Sequence, residues 1–243
     1  MTIPPLLEVH NLMKQYGGKA VVNGLSFQVN TGEAVGLLGP NGAGKTTAFY
    51  MTIGLIRPDE GEVFFKGENI SGMPIHSRAK LGLGYLAQEP SIFRNLTVEE
   101  NILCILETLS LPKKEQNERL NRLINELHLD HLRSKKAASL SGGERRRLEI
   151  TRSLVTEPSL LLLDEPFANI DPLAVQDVKN LIRHLLKKGI SVLITDHNAR
   201  EIFSIVHRSY LIQEGKVLLS GTVDQLINDP QARRSYFGED FKL

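Results

Sequence analysis

The chain has 243 residues, of which 41% are hydrophobic and 23% charged, and its net charge is +1. That length and balance suit one large or two small globular domains with a substantial core, and the near-zero charge excludes a global field drawing the chain toward nucleic acid or a membrane surface. A single cysteine, Cys104, excludes an internal disulfide, fits a reducing compartment and reads as a small buried apolar residue.

The start, Met1-Thr2-Ile3-Pro4-Pro5, lacks the basic stretch and apolar run of a signal peptide, so none is expected. Uninterrupted apolar runs such as residues 160–163 fall far short of the ~18–20 residues a spanning helix needs. Action at a membrane would require another chain to do the spanning.

Residues 6–28 alternate short β-like runs (Leu7-Glu8-Val9, Ala20-Val21-Val22, Leu25-Ser26-Phe27-Gln28-Val29) with turn signals such as Gly17-Gly18. Next comes the stretch around which the chain is organised, Gly39-Pro40-Asn41-Gly42-Ala43-Gly44-Lys45-Thr46-Thr47, which fits G-x-x-x-x-G-K-[ST]. An apolar run, Ala34-Val35-Gly36-Leu37-Leu38, precedes it and reads as a buried strand; a helix is expected to start at Thr46. Strand, glycine-rich turn and helix are the context in which backbone N–H groups and the helix dipole cradle phosphate. Lys45 is placed to reach the β- and γ-phosphates and the Thr46 hydroxyl to coordinate Mg²⁺. These residues point to a nucleoside triphosphate.

A turn at Arg57-Pro58-Asp59-Glu60-Gly61 and a strand at 62–67 follow. The character then changes. Thr97 and Glu100 form a capping box, and 98–109 and 114–127 carry apolar residues at helical spacing, so about 88–155 reads as a helical subdomain inserted into the nucleotide-binding core. Ser141 and Glu144 form a second capping box in Leu140-Ser141-Gly142-Gly143-Glu144, whose Gly142 and Gly143 leave the helix N–H groups open to an anion. One triphosphate per chain makes a second anion site redundant unless two copies face head to tail, each lending this helix end to the other. Arg145-Arg146-Arg147 point in different directions on a helix and read as a solvated, interface-facing surface rather than a nucleic-acid patch.

The remainder returns to α/β: strands at 160–163 and 191–195, a helix at 172–188, a hairpin across Glu214-Gly215 and short closing helices. The first of these strands ends in Asp164-Glu165, at the sheet edge where α/β proteins bind ligands. Asp164 suits contact with Mg²⁺ and Glu165 the base that polarises attacking water.

A P-loop, Leu-Ser-Gly-Gly-x and an apolar strand ending Asp-Glu, in that order, resemble the nucleotide-binding domain of ABC transporters over nearly the whole chain. The resemblance implies a P-loop NTPase of ABC type, an α/β fold with a RecA-like core, an antiparallel β subdomain and an inserted helical subdomain. It also implies that Tyr16 stacks on adenine, that Gln88 senses Mg²⁺ and the γ-phosphate, that Asp171 belongs to a loop crossing a dimer interface, and that His197 touches the γ-phosphate. Two departures narrow the subfamily: Glu144 where many members carry glutamine, and Phe167-Ala168-Asn169-Ile170-Asp171 where others carry a Ser-x-Leu-Asp type loop.

The finer resemblance is to the ATPase subunits of lipopolysaccharide export, with branched-chain amino-acid importer ATPases as near relatives. It rests on the Ser91-Ile92-Phe93-Arg94 segment, Thr195-Asp196-His197-Asn198 and the terminal Gly238-Glu239-Asp240-Phe241-Lys242-Leu243. It implies a homodimer using ATP and Mg²⁺, with no nucleic-acid partner, held on the cytoplasmic face of the inner membrane only through integral membrane subunits, a lipopolysaccharide-export permease pair. Ile92, Phe93, Arg94 and Leu96 read equally as a groove for those subunits or as core of the insert. A soluble ABC ATPase acting on ribosomes or DNA would fuse two such domains or insert a long coiled coil, and neither is present. A regulatory module binding ATP without turnover is opposed by Lys45, Glu165 and His197 together.

Overall fold

The computed structural model describes residues 4–168, 170–238 and 241. Two sheets organise it. The first is antiparallel, in the order β2-β1-β4-β5, from β1 (Leu7–Tyr16), β2 (Lys19–Val29), β4 (Glu60–Phe65) and β5 (Glu68–Asn69). The short runs expected at the N-terminus fuse into the two long strands of a hairpin turning at Gly17 and Gly18, and the ladder absorbs the irregular positions as register shifts.

The second sheet runs β10-β9-β3-β8-β7-β6. Its strands are β3 (Ala34–Leu38), β6 (Leu83–Leu86), β7 (Leu160–Asp164), β8 (Ser191–Thr195), β9 (Arg208–Gln213) and β10 (Lys216–Thr222). All neighbours are parallel except the β9–β10 hairpin. Every residue of β3, β7 and β8 is buried, as a sheet covered on both faces requires. Alternation along a strand divides the core into two. Leu161 and Leu163 face one hydrophobic cluster, and Leu160 and Leu162 face the other, which includes the antiparallel sheet and α1 (Lys45–Ile53).

β6 and β7 are adjacent in space, yet residues 87–159 lie between them in sequence. That excursion carries α3 (Val98–Leu106), α4 (Lys113–Glu126) and α5 (Gly142–Leu154), the inserted helical subdomain. Both expected capping boxes are formed, at Thr97/Glu100 and Ser141/Glu144. The longer remaining helices are α2 (Ile75–Leu81), α6 (Pro172–Lys187), α7 (Ala199–Phe203) and α8 (Val223–Asn228), followed by the short α9 (Pro230–Ala232) and a π-helical stretch (Arg233–Phe237). No helix among the described residues is long and apolar enough to cross a membrane.

Register fixes where chemistry can occur. Leu37 of β3 and Asp164 of β7 both lie opposite Thr195 of β8. The loops leaving the three central strands therefore start side by side along one sheet edge, the carboxyl edge at which open α/β sheets take ligands.

Candidate functional site

The loop between β3 and α1 makes a concavity of about 140 Å³ that includes Asn41, Gly42, Ala43, Gly44, Lys45, Thr46 and Thr47 and is closed on one side by Val21 and Glu165. Gly44 caps α1 at φ 99°, and a Cβ there would lie 2.5 Å from the Val21 carbonyl, so only glycine lets the β1–β2 hairpin abut the loop. Tyr16 ends β1 at the rim of that hairpin. Its ring is 48% exposed, with the Lys14 ammonium 5.7 Å from its centroid, leaving a face open for stacking.

Lys45 is buried, and its ammonium donates to the carbonyls of Gly39 (2.7 Å) and Pro40 (3.0 Å). Burial lowers its pKa, opposed by the charges of Glu165, Asp164 and Asp196. One cation facing three carboxylates makes a site whose balance favours further positive charge.

Asp164 is fully buried at the end of β7. Its Oδ1 accepts the Thr195 hydroxyl at 2.6 Å, while Oδ2 is buried without a hydrogen-bond partner. Burial pushes its carboxyl up from the ordinary carboxylate value, and Glu165 pushes the same way. An orphaned anionic oxygen beside Glu165 fits the donor set of a hard cation, which Mg²⁺ would satisfy with the half-buried Thr46 hydroxyl and Gln88. Glu165 follows in the left-handed region, φ 45°, its amide bonded to the Thr195 carbonyl at 2.9 Å. This turns its carboxylate out of the sheet edge, where Oε2 accepts Gln88 Nε2 at 2.9 Å and lies 3.7 Å from His197 Nδ1. Three residues predicted from separate segments thus meet at one oxygen. They border a second, larger cavity of about 600 Å³ that extends along α6.

Asp171 is placed at the N-cap of α6, accepting the amides of Leu173 (3.1 Å) and Ala174 (3.0 Å), so its side chain has a structural task whatever it meets across an interface. Asn169 of the same loop, and Glu239, Asp240, Lys242 and Leu243 of the tail, lie outside the described residues. Ser141 and Glu144 bond each other's backbone amides, at 3.3 and 2.7 Å, at the exposed start of α5. Hydrogen bonds from Ser141 hold the Glu144 carboxyl below its ordinary range, so the charge that replaces glutamine is spent on the cap. Gly142 and Gly143 are not equivalent. A Cβ on Gly143 would meet Ala174 Cβ of α6 at 2.8 Å, whereas one on Gly142 meets only Ile170 Cγ2 at 3.9 Å.

Two expectations are corrected. Arg146 is not solvated: it is 6% exposed and inserts its guanidinium beneath the turn that carries Asp164 and Glu165. It donates to the carbonyls of Ala87 (3.2 Å), Pro166 (3.1 Å), Glu165 (3.2 Å) and Asp164 (3.4 Å), and pairs with buried Glu149 at 2.9 Å. Three successive arginines do diverge, and one of the three directions is inward; the acceptors come from segments remote in sequence, so no local signal marks it. Cys104 is half-buried rather than buried, its thiol directed to the Asn101 carbonyl at 3.2 Å, with burial raising its pKa.

Residues 92–96 divide as well. Ile92 packs against the core, Leu96 is half-buried, Arg94 is exposed, and the Phe93 ring is half-exposed with the Arg152 guanidinium 4.8 Å over it. Buried Asn101 holds the Phe93 backbone from both sides, accepting its amide (2.9 Å) and donating to its carbonyl (3.0 Å). A large aromatic is therefore held out on a fixed backbone.

The ABC transporter family model matches residues 22–168, the segment from the hairpin through the P-loop, the cap of α5 and the Asp164-Glu165 turn, and the chain belongs to that family. It is an ATP-hydrolysing member, with the cassette fold. The chain is 52% identical, over 98% of its length and 99% of the relative's, to the lipopolysaccharide export system ATP-binding protein LptB of Acidithiobacillus ferridurans. It is 48% identical to the protein of that name from Escherichia coli strain K12, over 98% and 99% of the two chains. Among solved structures, the ADP conformation of an ATP-binding cassette of an ABC transporter superposes with a TM-score of 0.87 at 28% identity, covering 98% of this chain and all of that one.

Proposed function

We propose that this chain is the ATPase subunit of a lipopolysaccharide export transporter. It acts as a homodimer with two ATP molecules between the P-loop of one copy and Ser141, Gly142, Gly143 and Glu144 of the other. The observation that carries the cargo is the near-end-to-end similarity to proteins of that name at about half identity. Geometry supports the chemistry: Lys45 and the P-loop amides hold the phosphates, Tyr16 stacks on the base, and Glu165 orients the attacking water and takes its proton. His197 contacts the γ-phosphate, and Gln88, bonded to Glu165, reports on the site to the insert. Thr46, Gln88 and Asp164 hold Mg²⁺, which supplies charge neutralisation to the phosphates when bound. The fixed, outward Phe93, with Ile92, Arg94 and Leu96 around it, receives a permease pair, so that dimer closure and opening are transmitted to membrane subunits on the cytoplasmic face of the inner membrane.

Two measurements test this. Glu165→Gln is expected to lower kcat by at least about 100-fold and to hold an ATP-bound dimer on gel filtration; hydrolysis at the normal rate removes Glu165 as the base. Affinity purification from detergent-solubilised membranes is expected to recover lipopolysaccharide-export permeases. Recovery of an amino-acid permease overturns the cargo while keeping the mechanism, and recovery of ribosomes alone overturns transport.

A further inference from the structure

One buried charged group that the machinery described so far does not use stands beside it. Asp196 directly follows β8 and is 1% exposed. Its Oδ1 accepts the Asn198 amide at 2.9 Å, and the amides of Phe167 and His197 also turn toward the carboxylate. Phe167 belongs to the turn after Glu165, so backbone donors from two loops fix this side chain. Its Oδ2 is nevertheless buried with no hydrogen-bond partner. An acceptor withdrawn from water and left empty costs free energy unless another state of the molecule fills it.

A candidate donor beside this carboxylate is the ring of His197. Its side chain is 60% exposed and therefore free to turn, and Nδ1 lies 3.5 Å from Asp196 Oδ1, the oxygen that also receives the Asn198 amide, and 3.7 Å from Glu165 Oε2. Both neighbours are carboxylates, which when ionised only accept. A bare Nδ1 lone pair facing two such oxygens would be repelled, so this nitrogen carries the proton. The two acceptors differ in capacity. Glu165 Oε2 already receives Gln88 Nε2 and Asp196 Oδ1 the Asn198 amide, but the Asp196 carboxylate keeps its second oxygen, Oδ2, without a donor, and a turn of the exposed ring toward that oxygen would fill it. Which imidazole nitrogen is protonated is set by such a partner, and a carboxylate behind a functional histidine also fixes the orientation of the ring.

We infer that Asp196 is a positioning residue for ATP hydrolysis: it holds His197 with Nδ1–H toward its own carboxylate and so turns Nε2 toward the nucleotide. This rests on the reading of His197 as the γ-phosphate contact. With Nδ1 committed, Nε2 is the only ring nitrogen left for phosphate, and the anionic phosphate favours a second proton there, so that the ring bridges carboxylate and phosphate.

The test is long-range ¹⁵N–¹H spectroscopy of the histidine side chains in the full-length protein, at a pH where the rings are neutral, with the His197 signals assigned by their loss in His197→Gln. The proton is expected on Nδ1 in the wild type. In Asp196→Asn, the amide N–H can face Nδ1 and move the proton to Nε2, while the amide oxygen still accepts the Asn198 amide and preserves the loop. kcat is expected to fall about tenfold or more, with KM for ATP within about twofold. A wild-type ring protonated on Nε2 overturns the inference without recourse to any variant. Asp196→Asn with unchanged tautomer and kcat overturns it too, and a tautomer that changes only in Glu165→Gln assigns the orienting role to Glu165. Loss of activity in His197→Gln but not in Asp196→Asn sinks Asp196 alone. Normal turnover by His197→Gln sinks the reading of the histidine itself.

Discussion

Asp164 is held where an ionised carboxylate is least comfortable. One oxygen has the Thr195 hydroxyl, the other has nothing, and burial favours the protonated form. Sites that bind charge commonly keep such a debt in the empty state and recover it when ligand arrives. The sign follows from linkage. A carboxyl whose folded pKa lies above its unfolded one contributes stability below the unfolded value and loses it as pH rises through the folded value. Asp164→Asn keeps an acceptor for Thr195 and removes the titration. The nucleotide-free variant is therefore expected to be about 1–2 kcal/mol more stable than the wild type at pH 7–8, with the difference closing toward pH 4. It should also lose the Mg²⁺-dependent part of the stabilisation by ATP. Thermal unfolding across pH, with and without Mg·ATP, measures both; an equal or lower melting temperature for the empty variant at neutral pH refutes the account.

At the scale of elements, the start of α5 separates two demands that the sequence runs together. Both glycines sit in the first turn, but only Gly143 is pressed against a neighbour, Ala174 of α6. Gly143→Ala is expected to destabilise the isolated chain by about 1–3 kcal/mol through that overlap. Gly142→Ala meets open space and gains helix propensity, so its stability is unchanged or higher by up to about 1 kcal/mol, while ATP-dependent dimerisation weakens because a methyl group now stands where the other copy's phosphate must approach. Denaturant titration and gel filtration with ATP resolve the two; parallel behaviour of the two variants would refute the distinction. The same helix marks the limit of sequence reading. Its capping box was legible because Ser141 and Glu144 are three residues apart, and likewise the P-loop with its flanking strand and helix, and the paired carboxylates after a buried run. Helix ends are less well marked: the spacing predicts a helix over 98–109, whereas α3 ends at Leu106, because the apolar spacing outlasts the helix. Gly143 against Ala174, Asp196 between two loops and the strand order of the sheet are all products of distant segments meeting, and none leaves a periodic or spaced signal.

Across the whole molecule, the insert and the nucleotide core are pinned together at one buried cation. Arg146 belongs to α5 of the insert, yet four of its five partners are backbone carbonyls of the core edge: Ala87 at the end of β6, beside Gln88, and Asp164, Glu165 and Pro166 around the catalytic turn. The fifth, Glu149, is 5% exposed. A guanidinium can serve this many acceptors because its donors form a rigid planar fork, which an ammonium cannot copy. Removing it strands Glu149 in a dry environment, so Arg146→Met is expected to cost about 3–5 kcal/mol. That loss alone would not separate packing from positioning. The double variant Arg146→Met with Glu149→Leu replaces both charges by apolar volume and should recover most of the stability. The carbonyls of Glu165 and Ala87 remain unheld, however, so Glu165, the proposed general base, and Gln88 lose their common reference point and turnover stays depressed by about tenfold or more while ATP binding persists. A double variant that regains stability and wild-type kcat together would reduce Arg146 to packing. One that regains stability alone would establish that the orientation of the catalytic turn is set from the helical insert, through which dimer closure and membrane partners can act on hydrolysis.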